Sequence, residues 1–217
     1  MIINEFLKNK KFGETVLVEN YSSLGVEIML TQILRYAIEN KIPILVEDIL
    51  DTFSVYVKHL KFIGVDIDFS NINVMKIGGS EEVGNIVSRL KLESDPSIYL
   101  SRYGEEFSRV MPEDNFIDMV FGFDRLFALD ESSALTVEIL NSLKQYTTRE
   151  NRLAFYFVEG GIVENLRMNP LLVLEDLVTS VIRLTQEKGI LTIELIKDPW
   201  SLESKIREIK LPLEDAF

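Results

Sequence analysis

Hydrophobic residues follow two alternating periods along this chain. Short runs that are almost entirely apolar, such as TVLVE at 15–19 and MVFGF at 119–123, are typical of strands buried on both faces. Longer segments with an apolar residue every three or four positions indicate helices packed on a sheet. The pattern predicts strands at 15–19, 44–46, 73–77, 118–123, 153–158, 177–184, 190–197 and 204–211, and helices at 2–10, 24–40, 53–63, 82–92 and 132–147.

Two parts of the chain modify this alternation. Residues 97–111, SIYLSRYGEEFSRVM, fit either a strand followed by a helix or one helix interrupted at Gly104. From Asp176 on, a turn at Lys188-Gly189 separates two strand-like runs, as in a β-hairpin. We therefore predict an α/β protein with a mostly parallel central sheet and antiparallel C-terminal hairpins at one edge. With no Gly/Ser-rich linker, we expect one domain over residues 1–217.

The acidic balance of the chain argues against nucleic-acid binding. The sequence has 35 acidic and 23 basic residues, which gives a formal net charge of −12. Affinity for DNA or RNA depends mainly on Lys and Arg side chains that neutralise phosphates. The densest basic runs, at 8–11 and 205–210, are short. We therefore expect no broad nucleic-acid interface.

The residue inventory excludes several kinds of site. The absence of cysteine excludes disulfides, zinc–thiolate sites and cysteine nucleophiles. The single histidine, His59, cannot supply a two-histidine metal site, and we expect it to be solvated or packed. No window is apolar enough for a membrane span, and the first residues lack the pattern of a signal peptide. We therefore expect a cytoplasmic protein with no membrane contact.

The loop after the first strand has the spacing of a phosphate-binding motif. In NYSSLGVE at 20–27, Asn20 and Gly25 take the places of the two glycines in G-x-x-x-x-G-K-[ST]. Val26 replaces the lysine that reaches the phosphates, and Glu27 replaces the hydroxyl residue that binds Mg²⁺. Valine supplies no charge, and a glutamate at a helix start repels a polyphosphate. We therefore expect no ordinary ATP hydrolysis.

Weak nucleotide binding by the same loop stays open. Ser22 and Ser23 retain hydroxyl donors, and the following helix N-terminus carries a partial positive charge. The alternative is a plain connection between strand and helix, in which Gly25 eases the turn. The sequence predicts no required cofactor, although residual binding of ATP with Mg²⁺ is compatible with it.

The order of the predicted elements resembles a known ATPase core. The elements follow the order found in RecA/KaiC-type ATPases. They are a strand, a loop at the phosphate-binding position, a helix, an acidic second strand end, a helix ending in GVD and then MVFGFD. The resemblance covers roughly residues 11–211. More narrowly, the chain resembles an archaeal family in that superfamily, domain of unknown function 257. This resemblance implies a three-layer RecA-like fold with a degenerate Walker A motif.

The resemblance also implies positions for two acidic functions. The carboxylate pair that activates water in KaiC-like proteins corresponds to Leu50 and Asp51, so only Asp51 keeps an acid. Asp51 is equally suited to cap the helix that begins near Phe53. The magnesium-organising aspartate corresponds to Gly122 or Phe123, and Asp124 lies one or two positions later.

Asp124 therefore has two interpretations. It either serves as a displaced partner for a bound metal, or it is a buried or loop-capping aspartate that pairs with Arg125 or Arg149. Glu159, followed by two glycines, ends a predicted strand on the side where α/β sheets bind ligands, although a plain turn also uses glycines. Finally, Trp200 with Pro199 and Leu202 is a candidate apolar patch for a partner.

These observations support two main hypotheses. The first is a RecA/KaiC-like domain, not an enzyme, that acts by binding a protein, a peptide or copies of itself, because this superfamily commonly assembles into rings or filaments. The second is a residual nucleotide-binding or enzymatic protein whose cleft is lined by Ser22, Ser23, Asp51, Asp124 and Glu159. A third reading, an accessory subunit of a recombinase assembly, rests on fold analogy alone.

Overall fold

The structure is a computed structural model that describes residues 2–93, 95–129, 133–147, 149–200 and 207–217. Its strands are β1 Thr15–Tyr21, β2 Ile44–Ile49, β3 Asn73–Ile77, β4 Asn85–Leu90, β5 Phe116–Phe121, β6 Arg152–Glu159, β7 Ser180–Glu187, β8 Ile190–Lys197 and β9 Glu208–Pro212. Its helices are α1 Ile2–Asn9, α2 Gly25–Asn40, α3 Thr52–Phe62, α4 Pro96–Val110, α5 Phe123–Leu129, α6 Ser133–Tyr146, α7 Gly160–Val163 and α8 Pro170–Leu177. A short 3-10 helix follows at Leu213–Asp215.

The strands form one nine-stranded sheet in the order β4-β3-β2-β5-β6-β1-β7-β8-β9. All neighbours from β4 to β7 are parallel, and β8 and β9 extend one edge antiparallel. The carboxyl ends of β2, β5, β6 and β1 therefore meet at one side of the sheet, where ligands bind in folds of this kind. This architecture confirms the predicted α/β fold with a mostly parallel sheet.

Helices cover both faces of the sheet because the central strands are apolar on both faces. On β1, Val16 and Val18 pack against the side of α1, α2 and α3, whereas Leu17 faces the side of α4 to α8. All three side chains are fully buried. The result is a three-layer arrangement with one apolar core on each side of the sheet.

The second face also buries a group of charges between neighbouring strands. Arg152 on β6 donates from Nε to Oδ2 of Asp118 on β5 at 2.7 Å, and from Nη2 to the Tyr156 hydroxyl at 2.9 Å. Glu47 on β2 lies 3.8 Å from Nη2 of the same arginine and accepts a hydrogen bond from Tyr103 at 3.0 Å. Burial, together with the nearby Asp118, raises the pKa of Glu47 well above its usual range.

The predicted helix at 82–92 is wrong. The chain forms strand β4 at Asn85–Leu90, which pairs with β3. Its apolar residues, Val83, Ile86, Val87 and Leu90, fit a helical period, and only the pairing with a distant strand decides for β structure. Likewise, the predicted end of the second strand at residue 46 is wrong, because β2 continues to Ile49.

Two further segments are decided by the structure. Residues 97–110 belong to one helix, α4, which runs through Gly104 without interruption and ends before Met111. A Cβ at Gly104 would lie 3.2 Å from the Tyr146 hydroxyl, so the glycine permits α4 to approach α6. The predicted strand at 177–184 begins only at Ser180, since Pro170 starts the helix α8.

The C-terminal strands follow the prediction more closely. The β7–β8 hairpin turns at Lys188-Gly189, where both residues have positive φ angles of 50° and 78°. β9 begins at Glu208, whereas residues 204–206 of the predicted strand at 204–211 lie outside the described part of the chain. None of the described helices is both long and apolar enough to cross a lipid bilayer.

Candidate functional site

The loop between β1 and α2 is closed by its own side chains. Oδ1 of Asn20 accepts hydrogen bonds from the Ser22 backbone N–H at 3.1 Å and from the Ser22 hydroxyl at 2.7 Å. The same hydroxyl oxygen accepts from the Gly25 N–H at 2.9 Å. A phosphate cradle needs such backbone donors for its ligand. Asn20, in the place of the first glycine, therefore fills the loop from within.

Gly25 is required because its surroundings leave no room for a side chain. A Cβ at this position would lie 2.2 Å from the Ser22 hydroxyl oxygen. The first turn of α2 therefore begins directly against the loop. Ser23 is also engaged, because its hydroxyl donates to Oε1 of Gln186 on β7 at 2.9 Å.

Val26 and Glu27, which occupy the motif's lysine and hydroxyl positions, both make contacts within the chain in place of phosphate contacts. Val26 is buried in the core under α2. Glu27 is buried as well, and its Oε1 lies 2.7 Å from Nδ1 of His59 on α3. Burial raises the pKa of the Glu27 carboxyl, and the adjacent histidine counteracts part of that effect. His59 is half exposed, as expected of a solvated residue, but its partnership with Glu27 was not predicted.

Glu159, at the end of β6, holds the loop to α3. Nδ2 of Asn20 donates to both carboxylate oxygens of Glu159, at 2.9 and 3.0 Å. The Tyr56 hydroxyl on α3 donates to Oε1 of the same carboxylate at 2.8 Å. Glu159 therefore lies at the carboxyl end of its strand, next to the loop, as the sequence suggests.

Gly160, directly after Glu159, lies against the other side of the loop. A Cβ there would fall 2.1 Å from the Tyr21 ring, so this glycine is needed for close approach. The Tyr21 hydroxyl in turn donates to Oε1 of Glu164 at 2.5 Å. The sequence left open whether these glycines serve a ligand or a turn, and the contact made here is with the chain itself.

Asp124, at the start of α5, is buried beside this group. Its Oδ2 accepts the Glu159 backbone N–H over a long 3.4 Å. Burial raises the pKa of Asp124 to about 6, and the negative charge of Glu159 adds to the effect. Arg125 and Arg149 do not bond it as the pairing alternative predicts; they donate to the Leu50 carbonyl and the Met111 sulfur. Asp124 thus joins the loop region as a buried carboxylate.

Asp51 belongs to a different part of the structure. Its carboxylate forms an ion pair with Lys76 on β3 and accepts the N–H groups of Ser80 at 2.9 Å and Glu81 at 3.0 Å. Burial opposes ionisation, but these donors outweigh it and lower the pKa of Asp51. These partners of the Asp51 carboxylate include none of the other candidate residues of the cleft.

The capping role proposed for Asp51 is wrong. Asp51 occupies the N-cap position of α3, with a φ angle of 60°, but its side chain makes no capping hydrogen bond. Asp48 serves instead, because its Oδ1 accepts the Phe53 N–H at 2.9 Å. Its other oxygen accepts from Lys76 at 2.7 Å. Asp48 lies in the strand that the sequence ended too early.

Negative charges act on the Tyr56 hydroxyl. Burial, together with the charges of Glu159, Asp124 and Glu27, raises the pKa of Tyr56. In a functional Walker A motif the same place carries a lysine and a Mg²⁺ ligand. Among the described residues, no group of three or more His, Asp or Glu side chains is arranged to hold a metal ion. Here Val26 and Glu27 stand at those two positions, so the loop lacks the cation and the hydroxyl with which a Walker A motif binds Mg·ATP.

The candidate apolar patch at Trp200 is only partly described: Pro199 is exposed, and Trp200 is half-buried and has partners within the chain. The Trp200 Nε1 donates to Oε1 of Glu14 at 2.7 Å, and the Lys11 ammonium lies 3.3 Å above the indole ring. Lys10, from the same basic run, is buried and lies 2.9 Å from Asp198. Leu202 lies outside the described residues. Two lysines of the N-terminal basic run therefore hold the C-terminal strands in place.

Comparison with known families decides the identity of the chain. A family model described as "Pyrococcus protein of unknown function, DUF257" matches residues 5–207. The chain belongs to the DUF257 family. The Pyrococcus horikoshii protein PH0250 is 30% identical to this DUF257 chain. The alignment covers 90% of this chain and 91% of PH0250, with a TM-score of 0.76. The resemblance seen in the sequence is thereby confirmed.

More distant structures share the fold of this DUF257 protein. One solved ATPase domain is 15% identical, with 95% of this chain and 84% of that chain covered and a TM-score of 0.56. The uncharacterized protein PH0321 from Pyrococcus horikoshii, in complex with an unknown peptide, is 13% identical, with 91% and 89% covered and a TM-score of 0.61. A search of curated proteins finds no match. The fold is therefore that of RecA/KaiC-type ATPase domains.

The residues that sequence reasoning missed are those that hold the carboxylates in place. Tyr56 and His59 lie three positions apart on α3, so they share one face of that helix. Their partners, Glu159 and Glu27, are 103 and 32 positions away in sequence. The only signal in the sequence is the presence of two polar aromatic side chains on a face that packs towards the loop.

Proposed function

We propose that this DUF257 protein is a RecA/KaiC-like domain that does not hydrolyse ATP and acts by binding a protein or peptide. The observation that carries this proposal is the self-closed loop, in which Asn20, Ser22 and Gly25 bond one another. Two backbone N–H groups of the loop, those of Ser22 and Gly25, are thus occupied within the chain. Ligand binding would have to break these bonds.

Electrostatics support the same conclusion. A triphosphate placed at the loop would lie near the carboxylates of Glu27, Asp124 and Glu159 without a lysine between them. Two like charges 4 Å apart repel each other by about 4 kcal/mol at the effective dielectric constant near a protein surface. Several such repulsions exceed what a helix N-terminus offers in return, about 1 kcal/mol.

Binding of a polypeptide has support of a different kind. PH0321, which shares the fold, was crystallised with an unknown peptide. The net charge of −12 disfavours DNA and RNA as partners. A protein or peptide, or further copies of this chain, is the class of partner that these facts leave.

Thermal unfolding in the presence of nucleotides tests the proposal. A ligand at about 100 times its dissociation constant stabilises a fold by roughly 2.7 kcal/mol. We expect no change in melting temperature with millimolar Mg·ATP or Mg·ADP, measured against Mg²⁺ and inorganic triphosphate at equal ionic strength. Phosphate release should not exceed that of the buffer.

A rise in melting temperature with Mg·ATP would replace this proposal by the alternative, residual nucleotide binding. In that case the Ser22→Ala and Ser23→Ala variants locate the ligand. Ser22 is part of the closed loop, whereas Ser23 bonds Gln186 at the surface. Weaker nucleotide binding in either variant, with the fold intact, would place the nucleotide at the loop.

A further inference from the structure

Glu19 and Arg183 lie side by side in the sheet, on the face that carries helix α8. They are partners in the register of the neighbouring parallel strands β1 and β7. Nε and Nη2 of Arg183 both lie 2.8 Å from Oε2 of Glu19. Leu17 and Val181, two positions earlier on the same strands, are buried in one core with Leu174 of α8. Because side chains alternate along a strand, Glu19 and Arg183 point to the same side of the sheet.

Glu175 on α8 lies next to the same guanidinium. Its Oε1 is 3.7 Å from Nη2 of Arg183, and its carboxyl is within hydrogen-bonding reach of the Glu19 carboxyl. A hydrogen bond between two carboxyls needs a proton on one of them, because ionised carboxylates only accept. Two acids and one base therefore meet where α8 packs on the sheet.

The hydrogen bonding of Glu19 is incomplete without such a proton. Its side chain is fully buried, Oε2 accepts from Arg183, and no described residue donates to Oε1. A buried acceptor without a donor costs free energy. A proton on Oε1, donated to the Glu175 carboxylate, removes that cost. Burial and the hydrogen bond with Glu175 raise the pKa of Glu19 to about 7, although Arg183 lowers it in part.

Other charged and titratable groups lie on the elements packed around these three residues. They are Tyr21 on β1, Glu164 after α7, Arg167 before α8, Asp176 on α8, and Glu194 and Lys197 on β8. Each of them either has partners within the chain or is exposed. Among the described residues, the charged groups that shift the pKa of Glu19 are Glu175 and Arg183.

We propose that Glu19, Glu175 and Arg183 form a proton-dependent latch between α8 and the sheet. With one proton on the two carboxyls, the three groups carry one negative and one positive charge, and both oxygens of Glu19 have partners. Without the proton, two carboxylates share one guanidinium, and the contact of α8 with the sheet weakens.

The direction of the pH dependence follows from Glu19. Because its pKa is raised from 4.5 to about 7, the stability that the proton supplies is complete below about pH 4.5 and is lost as the pH rises through 7. The latch is therefore closed in mild acid and open in mild base. Glu19 directly precedes Asn20, so the strand that carries the latch also leads into the closed loop.

Hydrogen–deuterium exchange of the α8 amides tests the latch. Protection factors, which correct for the pH dependence of intrinsic exchange, are compared at about pH 5.5 and about pH 8.5. We expect the protection of residues 170–177 to fall at least about tenfold at the higher pH. Because Asp124 also titrates, with a pKa of about 6, variants are needed to assign the change to the latch.

Glu19→Gln and Glu175→Gln remove the titration and keep the shape of the side chain. A glutamine amide both donates and accepts, as a protonated carboxyl does. We expect the α8 protection of each variant to stay constant within about threefold between the two pH values. Asp176→Asn is the matched control, because it removes an exposed carboxylate from the same helix, and it should keep the pH dependence of the parent.

The side-chain carboxyl ¹³C resonance of Glu19, assigned by its loss in Glu19→Gln, reports the proton directly. We expect it to titrate near pH 7, whereas titration near the ordinary value of 4.5 would overturn the latch. Equal α8 protection of the parent at both pH values would overturn it as well. So would a pH dependence of the α8 protection that both glutamine variants retain.

Two further points keep the outcomes separate. If circular dichroism shows that Glu19→Gln does not fold, Glu175→Gln decides alone, since the Glu175 side chain is partly exposed. The latch also goes beyond the proposed function and needs no partner. Stabilisation by Mg·ATP would end the proposed function and leave the exchange of α8 as a separate result.

Discussion

Two groups of buried carboxylates in this protein differ in one respect. Between β2, β5 and β6, Asp118 and Glu47 share the guanidinium of Arg152. In the cleft at the strand ends, Asp124 and Glu159 have a tyrosine, an asparagine and backbone N–H groups as partners. The first group forms ion pairs with a buried cation, whereas Asp124 and Glu159 form no ion pair with another described residue, and Arg125 only partly offsets the raised pKa of Asp124.

This difference in partners distinguishes a group of carboxylates that stabilises the fold from a group that presents charge to a ligand. A buried carboxylate with a buried cation is stable without any further ligand, and losing the cation is costly. Carboxylates without a cation retain a negative potential that a ligand encounters. In an ATPase cleft a positively charged lysine binds the negatively charged phosphates. In this protein the corresponding cleft carries negatively charged carboxylates. Three substitutions test this comparison.

The largest effect is expected for Arg152→Met. The substitution leaves Asp118 and Glu47 buried without their cation, so the free energy of unfolding should fall by about 3–5 kcal/mol. Urea unfolding at neutral pH measures it. The control is Arg89→Met, which removes a half-exposed arginine paired with Glu82 and should cost less than about 1 kcal/mol. Similar losses in both variants would remove the distinction between the two groups of carboxylates.

The Asp124→Asn substitution should have the opposite sign. Because the pKa of Asp124 is raised from 3.8 to about 6 by burial, its contribution to stability is complete below pH 4 and is lost as the pH rises through 6. The variant should therefore be more stable than the parent at pH 8, by about 3 kcal/mol, and the difference should nearly vanish as the pH falls to about 4. Urea unfolding at both pH values checks this.

The exposed Asp176 supplies the control, since Asp176→Asn should change stability by less than about 0.5 kcal/mol at either pH. If Asp124→Asn destabilises at pH 8, the carboxylate of Asp124 is stabilised by its surroundings, and the cleft is not a site of surplus negative charge.

The smallest effect is expected for Tyr56→Phe. The variant removes the hydroxyl that donates to Glu159, at a cost of about 1 kcal/mol. The side chain keeps its packing against Phe121, whose ring centre lies 5.7 Å away. Thermal unfolding of the variant and the parent gives the difference. A loss above about 3 kcal/mol would mean that Glu159 depends on this one donor, and that the cleft is held as rigidly as the interior.

The sequence predicts the central strands of this fold better than the strands at the edge of the sheet. The strand at Asn73–Ile77 has the predicted limits, because a short apolar run is bounded by turn residues. β4 was mistaken for a helix, since Ile86, Val87 and Leu90 satisfy both periods and the pairing with β3 is not a local property. The single domain and the cytoplasmic location stay predictions.

The candidate site was predictable in part for the same reason. Asn20 and Gly25 follow from local spacing and do line the loop. Asp51 was assigned by counting, but the true end of β2 lies three residues later than expected, and the side chain binds Lys76. The pairing of Glu27 with His59 depends on the packing of α2 on α3, which no local pattern contains.

The place of β1 in the sheet has a consequence for the synthesis of the chain. β1 ends at Tyr21, but both of its neighbours, β6 and β7, begin only at Arg152 and Ser180. During translation, β2 to β5 are complete first and are mutual neighbours in the sheet. β1 therefore cannot pair with either neighbour until the last third of this sequence has been synthesised, whereas β2 to β5 can pair with one another earlier.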